Sequence, residues 1–406
     1  MIDHAHAGLL PEKPHTVFRA PDGQLLHEEM LTRGGFDGPF AYLYHRHPVT
    51  AARRVVEVEG FARPERAEQG MFPNQRRLYD ANALWDRLAA TGGPASRTRA
   101  AMLFNDDVVL SAIAPSEPDP TYFANNDGDD LHYVMRGRGR LESSFGWLDF
   151  GEGDYVHVPR SVIHRIHPEA GLRLFTIEGR RDVVVPSNFR NPVGQLTMNA
   201  PYTERDFARP TSPIATVDAL PDGPTEVLVK RLDRFTLLEL ERCPMDVVGW
   251  DGYLYPFAFP MKKYQPKTGQ LHLPPTVHTT FMGASYVICS FVPRAVDFHP
   301  DAIPCPYPHS SVDCDEVLLY LAGNFTSRRG VGPGCVSLHP AGLPHGPHPG
   351  AYEASIGSKW TDESAVMVDT FKPLWPTLGA LGVERAGYQA SWSVARGGSP
   401  RHATST

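Results

Sequence analysis

One spacing of glycine, proline and histidine occurs twice in this chain of 406 residues. The first copy runs from Gly153 to His164 and the second from Gly334 to His345. In both copies five residues separate the glycine from the proline, and four separate the proline from the histidine. The residues between glycine and proline are few and mostly apolar, as in a β-strand that leads into a turn. The repeat therefore predicts two similar β-rich units in one chain.

Short apolar runs bounded by turn-forming residues continue along most of the chain. The 39 prolines and 36 glycines exceed average usage, and residues 131–137, 285–293 and 316–323 are typical strand segments. We expect an all-β-dominated fold with a few short helices. Residues 74–91 place apolar side chains at helical spacing and predict one surface helix. Residues 224–240 lack a clear period and are interpreted as helix-like or irregular.

The repeated spacing resembles the second sequence motif of the cupin superfamily, whose members are small antiparallel barrels that bind metals inside. This resemblance implies two jelly-roll-type barrels, and a chain that is 41% hydrophobic is long enough for two cores. We expect an N-terminal cupin-like domain at 1–240 without metal and a C-terminal catalytic cupin domain at 241–385. The polar stretch 386–406 is predicted to be a C-terminal tail, mobile at its end.

The charge balance argues against nucleic acid as a partner. Lysine and arginine total 39 against 46 acidic residues, for a net charge of −7. Polyanions and anionic membrane surfaces attract chains with an excess of basic residues. We therefore expect a small molecule as the partner, with neither nucleic acid nor membrane involved.

The cysteines and the hydropathy predict a cytoplasmic location. The five cysteines are odd in number and show no CxxC spacing, so a disulfide framework is not expected. The N-terminus lacks the pattern of a secretory signal, and no apolar run approaches about 20 residues.

The second repeat copy ends a stretch that has the spacing of a metal site. Glu316 lies between His309 and Gly323 with six residues on either side. Cupins usually have a second histidine close after the first, but Ser311 stands at that position. Two histidines and one glutamate remain, namely His309, Glu316 and His345. Two imidazoles and one carboxylate suit Fe(II) and leave coordination positions open for substrate and O2.

Asp315 competes with Glu316 as the carboxylate ligand. Neighbouring residues of a strand point to opposite faces, so only one of the two can enter the barrel. The cupin spacing to Gly323 selects Glu316.

Two other histidine motifs fail the same spacing test. His45 and His47 form an HxH pattern, but no carboxylate follows at three or four residues, so we interpret them as packing or surface residues. His164 ends the first repeat copy, yet the segment before it offers Asp130 at the glutamate position and no histidine pair. The N-terminal barrel is therefore predicted to bind no metal.

The chain resembles the homogentisate 1,2-dioxygenase family in four segments, HLPPTVHTTF, VICSFVPR, PxPxxH through DEVLLYLAG, and SLHPAGLPHGPHPG. The resemblance is specific over 270–350 and continues in order over the rest of the chain. It implies an Fe(II)-dependent, extradiol-type dioxygenase of tyrosine and phenylalanine catabolism. Such an enzyme inserts both atoms of O2 into homogentisate (2,5-dihydroxyphenylacetate) and forms maleylacetoacetate. The resemblance also implies a homo-oligomer, either a trimer or a hexamer.

Carried onto this chain, the family's iron ligands fall on His309, Glu316 and His345. The family's active-site base falls on His272, and His278 is the alternative. His339 corresponds to a further active-site histidine, beside the ligand strand, and a purely structural histidine is an equal alternative there. The substrate is expected to contact Phe325 and His345, and its carboxylate could pair with an arginine, for which the candidates are Arg294, Arg328 and Arg329.

The chain departs from the family at two points. The family usually has a tyrosine two residues after the glycine, where this chain has Phe325, which cannot donate a hydrogen bond to the substrate. One extra residue also separates His309 from Glu316. A related hydroquinone acid such as gentisate is therefore the alternative substrate. A non-redox metal-dependent cupin isomerase or hydrolase and a non-enzymatic two-cupin binding protein are the alternative functions.

Overall fold

A computed structural model describes residues 2–61, 63–68, 74–216, 220–270, 275–325, 327–328 and 330–393. Strands dominate these residues, and the helices are few and short. The prediction of an all-β-dominated chain with a few short helices is confirmed.

Strands that begin before residue 245 form most of the sheet structure. They are β1 (Ala5–Gly8), β2 (His27–Thr32), β3 (Phe40–His45), β4 (Ala52–Val58), β5 (Arg77–Asp80), β6 (Arg99–Phe104), β7 (Val108–Ile113), β8 (Tyr122–Asn125), β9 (Asp129–Arg136), β10 (Arg138–Ser143), β11 (Gly146–Gly151), β12 (Asp154–Val158), β13 (His164–Pro168), β14 (Arg173–Gly179), β15 (Thr225–Arg231) and β16 (Arg234–Leu240).

Ten further strands follow in the described part of the chain. They are β17 (Val247–Gly252), β18 (Phe257–Pro260), β19 (Thr279–Met282), β20 (Tyr286–Phe291), β21 (Arg294–Ala295), β22 (Asp315–Ala322), β23 (Cys335–His339), β24 (Trp360–Thr361), β25 (Ser364–Thr370) and β26 (Trp375–Pro376).

The helices described by the structure are short and lie outside the sheets. The α-helices are α1 (Ala81–Thr91), α2 (Ala351–Ser355) and α3 (Leu378–Leu381). The 3-10 helices are Ser187–Phe189, Glu204–Asp206, Ile214–Thr216, Met261–Lys263, Pro275–His278 and Tyr388–Trp392. None of the helices in the described ranges combines the length and the apolar character needed to cross a lipid bilayer.

Two seven-stranded sheets form what we call the N-terminal unit. Their strand orders are β11-β10-β13-β8-β15-β16-β4 and β18-β12-β9-β14-β7-β6-β26. Leu141 on β10 and Ile166 on β13 are buried in one hydrophobic core together with Leu131 on β9 and Phe175 on β14. The inner faces of both sheets thus contribute to the same core, as expected when each sheet has one apolar face.

The C-terminal unit is built on a six-stranded antiparallel sheet with the order β19-β20-β25-β22-β23-β5. Its edge strand β5 comes from the N-terminal half of the chain. Conversely, β18 and β26 complete a sheet of the N-terminal unit, and β17 pairs with β1 and β3 in a separate four-stranded sheet. The two halves are therefore joined by strand pairing in both directions, and the domain boundary near residue 240 stays a prediction.

The predicted helix at 74–91 is shorter than the sequence pattern indicates. Residues Arg77–Asp80 form a strand that pairs with β23, and only Ala81–Thr91 is helical. The helix is not a pure surface element, because Leu84 and Trp85 are buried. Leu78 fits the helical spacing of the apolar residues, but it lies in this strand. The spacing therefore predicted a helix that begins too early in the chain.

The interpretation of residues 224–240 as helix-like or irregular is wrong. These residues form a hairpin of β15 and β16. Leu232 and Asp233 both have positive φ values at the turn, which two-residue hairpin loops require. The backbone N–H groups of both residues donate to the carboxylate of Asp127, at 2.5 and 2.9 Å. This distant carboxylate stabilises a turn that lacks the usual glycine.

Candidate metal centre

Strand β22 presents alternate side chains to two different environments. Val317 and Leu319 are buried in the large core, whereas Tyr320 packs on the opposite face with Phe325. Glu316 shares that opposite face because side chains two and four residues apart point the same way. The strand therefore carries Glu316 to the face on which the predicted histidines lie.

The carboxylate of Asp315 has a different role. It accepts hydrogen bonds from the backbone N–H of Ala341 at 2.8 Å and of Leu374 at 2.7 Å. These bonds fix the loops that follow β23 and β25. Asp315 thus faces backbone donors, and Glu316 faces the histidines.

His309 and His345 are paired through their backbones. The N–H of His309 donates to the carbonyl of His345 at 2.8 Å, and the reverse bond measures 2.9 Å. The two imidazole rings lie 4.4 Å apart between centroids. This isolated bridge brings together two histidines from separate loops and directs both rings toward Glu316.

The three predicted ligands converge on one point. His309 Nε2 lies 3.5 Å from Glu316 Oε2, and His345 Nε2 lies 3.4 Å from Glu316 Oε1. The three candidate ligand atoms all lie within 4.8 Å of one another. Ligand atoms that each sit about 2 Å from a shared ion are spaced in this way.

The ring nitrogens of His309 and His345 that face away from Glu316 form hydrogen bonds with backbone carbonyls. His309 Nδ1 donates to the carbonyl of Tyr307 at 3.3 Å, and His345 Nδ1 donates to the carbonyl of Leu343 at 2.9 Å. A carbonyl only accepts, so both rings carry a proton on Nδ1, and in the neutral ring Nε2 is then the atom without a proton. His345 Nε2 is buried and has no hydrogen-bond partner among the described residues. A buried lone pair without a donor fits a cation, and the donor set of two imidazoles and a carboxylate fits Fe(II).

Glu316 is held in its charged form. Burial acts to raise the pKa of this carboxyl, but the imidazoles of His309, His339 and His345 around it outweigh burial and hold the pKa well below its usual range. The side chain is almost fully buried. An ionised carboxylate at this place supplies the negative charge that a divalent cation requires.

His339 contacts Glu316 without joining the cluster of candidate ligand atoms. Its Nδ1 lies 2.8 Å from Glu316 Oε1, and its Nε2 lies 3.2 Å from the hydroxyl of Tyr388. Its ring stacks on that of His345 at 4.5 Å. Burial, and then the charge of Arg328, lower the pKa of His339 to about 3, so the imidazole is neutral.

Sequence reasoning missed two residues next to this centre. Tyr388 lies in the stretch that the sequence assigns to a tail, and its only signal was an aromatic residue among polar ones. Asp369 pairs with Glu316 across β22 and β25. Burial and the nearby charge of Glu316 raise the pKa of Asp369 to about 7. The signal available in the sequence was an acidic residue within an otherwise mostly apolar strand segment.

A cavity of about 700 Å³ opens beside the centre, and His309 lies on its wall. Phe325, Arg294, Arg328 and His278 line the same cavity. Phe325 packs edge-on against Tyr320, with centroids 4.9 Å apart. The cavity is large enough for a small aromatic acid.

The charged groups in the cavity differ in their partners. Arg294 lies 3.6 Å from Glu363, so its charge is partly compensated. The Arg328 guanidinium donates to the carbonyl of Gly346 at 2.6 Å, and no carboxylate of the described residues lies within 4 Å of it. Burial and the charge of Arg294 lower the pKa of His278 to about 3. His272 and Arg329 lie outside the described residues.

The corresponding place in the N-terminal unit borders a smaller cavity of about 60 Å³, which Arg99, Asp130 and His164 line. His164 Nδ1 donates to the carbonyl of Val162 at 2.9 Å, as His345 does to Leu343. Arg99, however, lies 2.9 Å from Asp130 and 2.6 Å from Glu178. A second acidic group, made of Asp127, Glu178 and Asp233, is paired with Lys230 and Arg180.

The chain is similar in sequence to proteins that are named as dioxygenases. The family model described as Homogentisate 1,2-dioxygenase N-terminal matches residues 100–261. A protein of Saccharolobus solfataricus that is provisionally named a dioxygenase is 36% identical over 97% of this chain and 99% of its own length. Homogentisate 1,2-dioxygenase of Bradyrhizobium diazoefficiens is 28% identical over 62% of this chain and 58% of its own length. Among solved structures, a cupin 2 conserved barrel domain protein from Leptotrichia buccalis matches 69% of this chain and 89% of its own, with 11% identity and a TM-score of 0.29.

Proposed function

Because the chain belongs to the homogentisate 1,2-dioxygenase family, we propose that it is a ring-cleaving dioxygenase for a 2,5-dihydroxy aromatic acid. Homogentisate is the first candidate substrate, and both atoms of O2 would enter a maleylacetoacetate product. The observation that carries the proposal is the convergence of His309, Glu316 and His345 beside a cavity of about 700 Å³, whose wall includes His309. This chain spans only 58% of the length of the matched Bradyrhizobium enzyme, so the substrate is part of the proposal.

These three residues would hold Fe(II). Two neutral imidazoles and one carboxylate leave positions of the ion free for exogenous ligands. When bound, the ion supplies the one-electron chemistry that lets O2 react with a dihydroxy aromatic ring. The role of the chain is to keep both Nε2 atoms unprotonated and Glu316 ionised, which the carbonyls of Tyr307 and Leu343 and the surrounding histidines support.

Arg328 is the described arginine that best fits the substrate carboxylate. It lines the cavity, carries a charge and has no carboxylate partner in the described part of the chain. Arg294 already faces Glu363. A guanidinium that retains free N–H donors binds a carboxylate in bidentate fashion.

His278 suits the role of hydrogen-bond acceptor better than that of base. A pKa of about 3 keeps its imidazole neutral, and its Nδ1 is buried without a hydrogen-bond partner in the described ranges. Such a ring accepts a hydrogen bond from a substrate hydroxyl but binds a whole proton weakly at neutral pH. His272 therefore stays the predicted base.

Phe325 shapes the cavity as an apolar wall. Its side chain is 8% exposed and contacts the ring of Tyr320. A phenyl ring packs against an aromatic substrate without discriminating among its hydroxyl groups. For this reason gentisate is tested beside homogentisate.

The experiment is oxygen uptake by protein purified anaerobically and loaded with Fe(II). We expect uptake with homogentisate or gentisate, together with the absorbance of a ring-opened product. Glu316→Gln keeps the size of the side chain and removes its charge, so it should abolish both iron binding and uptake. Glu226→Gln, on an exposed position of β15, is the matched control. Absence of uptake with every 2,5-dihydroxy aromatic acid would refute the proposal.

A further inference from the structure

Residues 387–393, here called the C-terminal segment, lie on the face of the six-stranded sheet that carries Glu316. The segment contains the 3-10 helix Tyr388–Trp392. Tyr388 is buried in a small cluster with Leu78, Tyr320 and Phe325. The proposed reaction assigns no task to this segment, although it reaches the candidate metal centre by two separate routes.

The first route leads to Glu316. The hydroxyl of Tyr388 lies 3.2 Å from His339 Nε2, and His339 Nδ1 lies 2.8 Å from Glu316 Oε1. A carboxylate only accepts, so Nδ1 carries the proton and Nε2 accepts from the tyrosine. Tyr388 thereby fixes the tautomer in which His339 donates to Glu316. Without the hydroxyl, a buried ring nitrogen would lose its donor.

The second route leads to the loop that carries His345. Trp392 Nε1 donates to the carbonyl of Gly346 at 3.0 Å, directly after His345. Ser391 Oγ lies 2.6 Å from His348 Nε2, and the Trp392 indole packs on the His348 ring at 4.3 Å. The segment thus binds the loop through a backbone acceptor and through a side chain.

Arg76 connects the segment and the loop from a third side. Its backbone N–H donates to the side chain of Gln389 at 2.8 Å, and its Nη2 donates to the carbonyl of Pro344 at 2.6 Å. Its guanidinium also lies over the Trp392 ring at 4.6 Å. Both neighbours of His345 in the chain, Pro344 and Gly346, therefore have their carbonyls held by side-chain donors.

We propose that the C-terminal segment sets the geometry of the metal centre, with Tyr388 and Trp392 as positioning residues for Glu316 and His345. The inference rests on the proposed metal site. Groups that orient metal ligands from outside contribute about 10- to 100-fold to metal affinity. The segment would therefore act on the affinity for Fe(II) before any step of the reaction.

Three single variants test the inference in the full-length protein. Tyr388→Phe removes one hydroxyl, Trp392→Phe removes one N–H, and each keeps an aromatic ring. Tyr253→Phe, at a 39% exposed position, is the matched control. Anaerobic competition with a chelator measures the Fe(II) affinity, and circular dichroism of the metal-free proteins checks folding. We expect a loss of about 10- to 100-fold in affinity for the first two variants and none for the control.

The outcomes separate this inference from the proposed function. If wild type binds Fe(II) and the folded Tyr388→Phe and Trp392→Phe proteins bind it equally well, the positioning role is overturned and the metal site stands. If wild type binds no metal, the proposed function fails, and hydrogen exchange of residues 340–348 decides the positioning role instead. Exchange there should be faster in the metal-free Trp392→Phe protein, and unchanged exchange would overturn the inference.

Discussion

Asp130 and Glu316 occupy corresponding positions in the two units, but a guanidinium faces the first carboxylate and three imidazoles face the second. The preceding aspartates, Asp129 and Asp315, each accept a hydrogen bond from the backbone N–H of the residue after the repeat's proline. The donors are Arg160 and Ala341, and the distance is 2.8 Å in both units. Arg99 Nη2 lies 2.9 Å from Asp130. The positive charge next to Asp130 thus belongs to an arginine of the chain, whereas the histidines beside Glu316 suit a bound metal ion.

Removing this internal cation should destabilise the fold strongly. Arg99→Met would leave Asp130 as a buried charge without its salt-bridge partner, whereas Glu178 keeps Lys230 and Arg180. Breaking one side of a buried ion pair costs about 3–5 kcal/mol. We expect that loss in the free energy of unfolding, measured by denaturant titration at pH 7.

Two further variants show whether charge is the cause. Arg99→Met combined with Asp130→Asn should recover much of the loss, because the carboxylate that Arg99 leaves unpaired is then removed as well. Arg54→Met removes an exposed arginine that pairs with Glu239 at 3.3 Å, and it should cost less than about 1 kcal/mol. A small loss in Arg99→Met would contradict the assigned role.

His45 should make stability depend on pH at the alkaline side. Burial acts to lower its pKa, but hydrogen bonds to Asp246 and Glu29 outweigh burial and raise the pKa to about 9. The stabilisation from charged His45 is fully present below the unfolded pKa of about 6.5 and is lost as the pH rises through 9. The change is on the order of 3 kcal/mol.

The measurement is the free energy of unfolding between pH 6 and pH 10 for wild type and His45→Gln. The wild-type value should fall over this range, and the variant should show a flatter dependence. Equal slopes in the two proteins would rule out His45 as the cause. The choice between packing and surface that the sequence left open for this residue is thus resolved, because His45 is a buried ion-pair partner.

The repeat was sufficient to predict two β-rich units because it marks a strand and the turn after it. Local pattern failed where a distant group determines the conformation. The hairpin of β15 and β16 turns at Leu232 and Asp233, and Asp127 supplies the acceptor for both backbone N–H groups. No window of the sequence around the turn contains that carboxylate.

In the candidate site, too, local spacing predicts some residues and distant contacts determine others. Spacing along one stretch predicted His309, Glu316 and His345, and the structure brings their ligand atoms within 4.8 Å of one another. Tyr388 lies 49 positions from His339, and only the folded sheet brings the two side chains together. Motif spacing reports ligands that neighbouring strands position, but it carries no information about a segment that packs on them from elsewhere in the chain.

Phe325→Tyr tests the cavity wall. The added hydroxyl offers one hydrogen bond in a site where the phenyl ring offers none. A neutral hydrogen bond contributes about 0.5–1.5 kcal/mol, so we expect kcat/KM for homogentisate to rise about two- to tenfold. The change in kcat/KM for gentisate is the comparison, because gentisate lacks the methylene between ring and carboxylate. A fall in kcat/KM for homogentisate would show that the apolar wall itself determines substrate fit.

Arg328→Met tests the carboxylate anchor, and the substrate provides the control. The variant removes the guanidinium and retains much of the side chain's apolar bulk beside the Trp392 ring, over which the guanidinium lies at 5.4 Å. A hydrogen bond to a charged group contributes about 1.5–3 kcal/mol, so kcat/KM for homogentisate should fall about 10- to 150-fold. Methylhydroquinone has the same ring hydroxyls but no carboxylate, and its rate should change little. Equal losses for the acid and the neutral compound would assign Arg328 to support of the His345 loop, through Gly346, rather than to substrate binding.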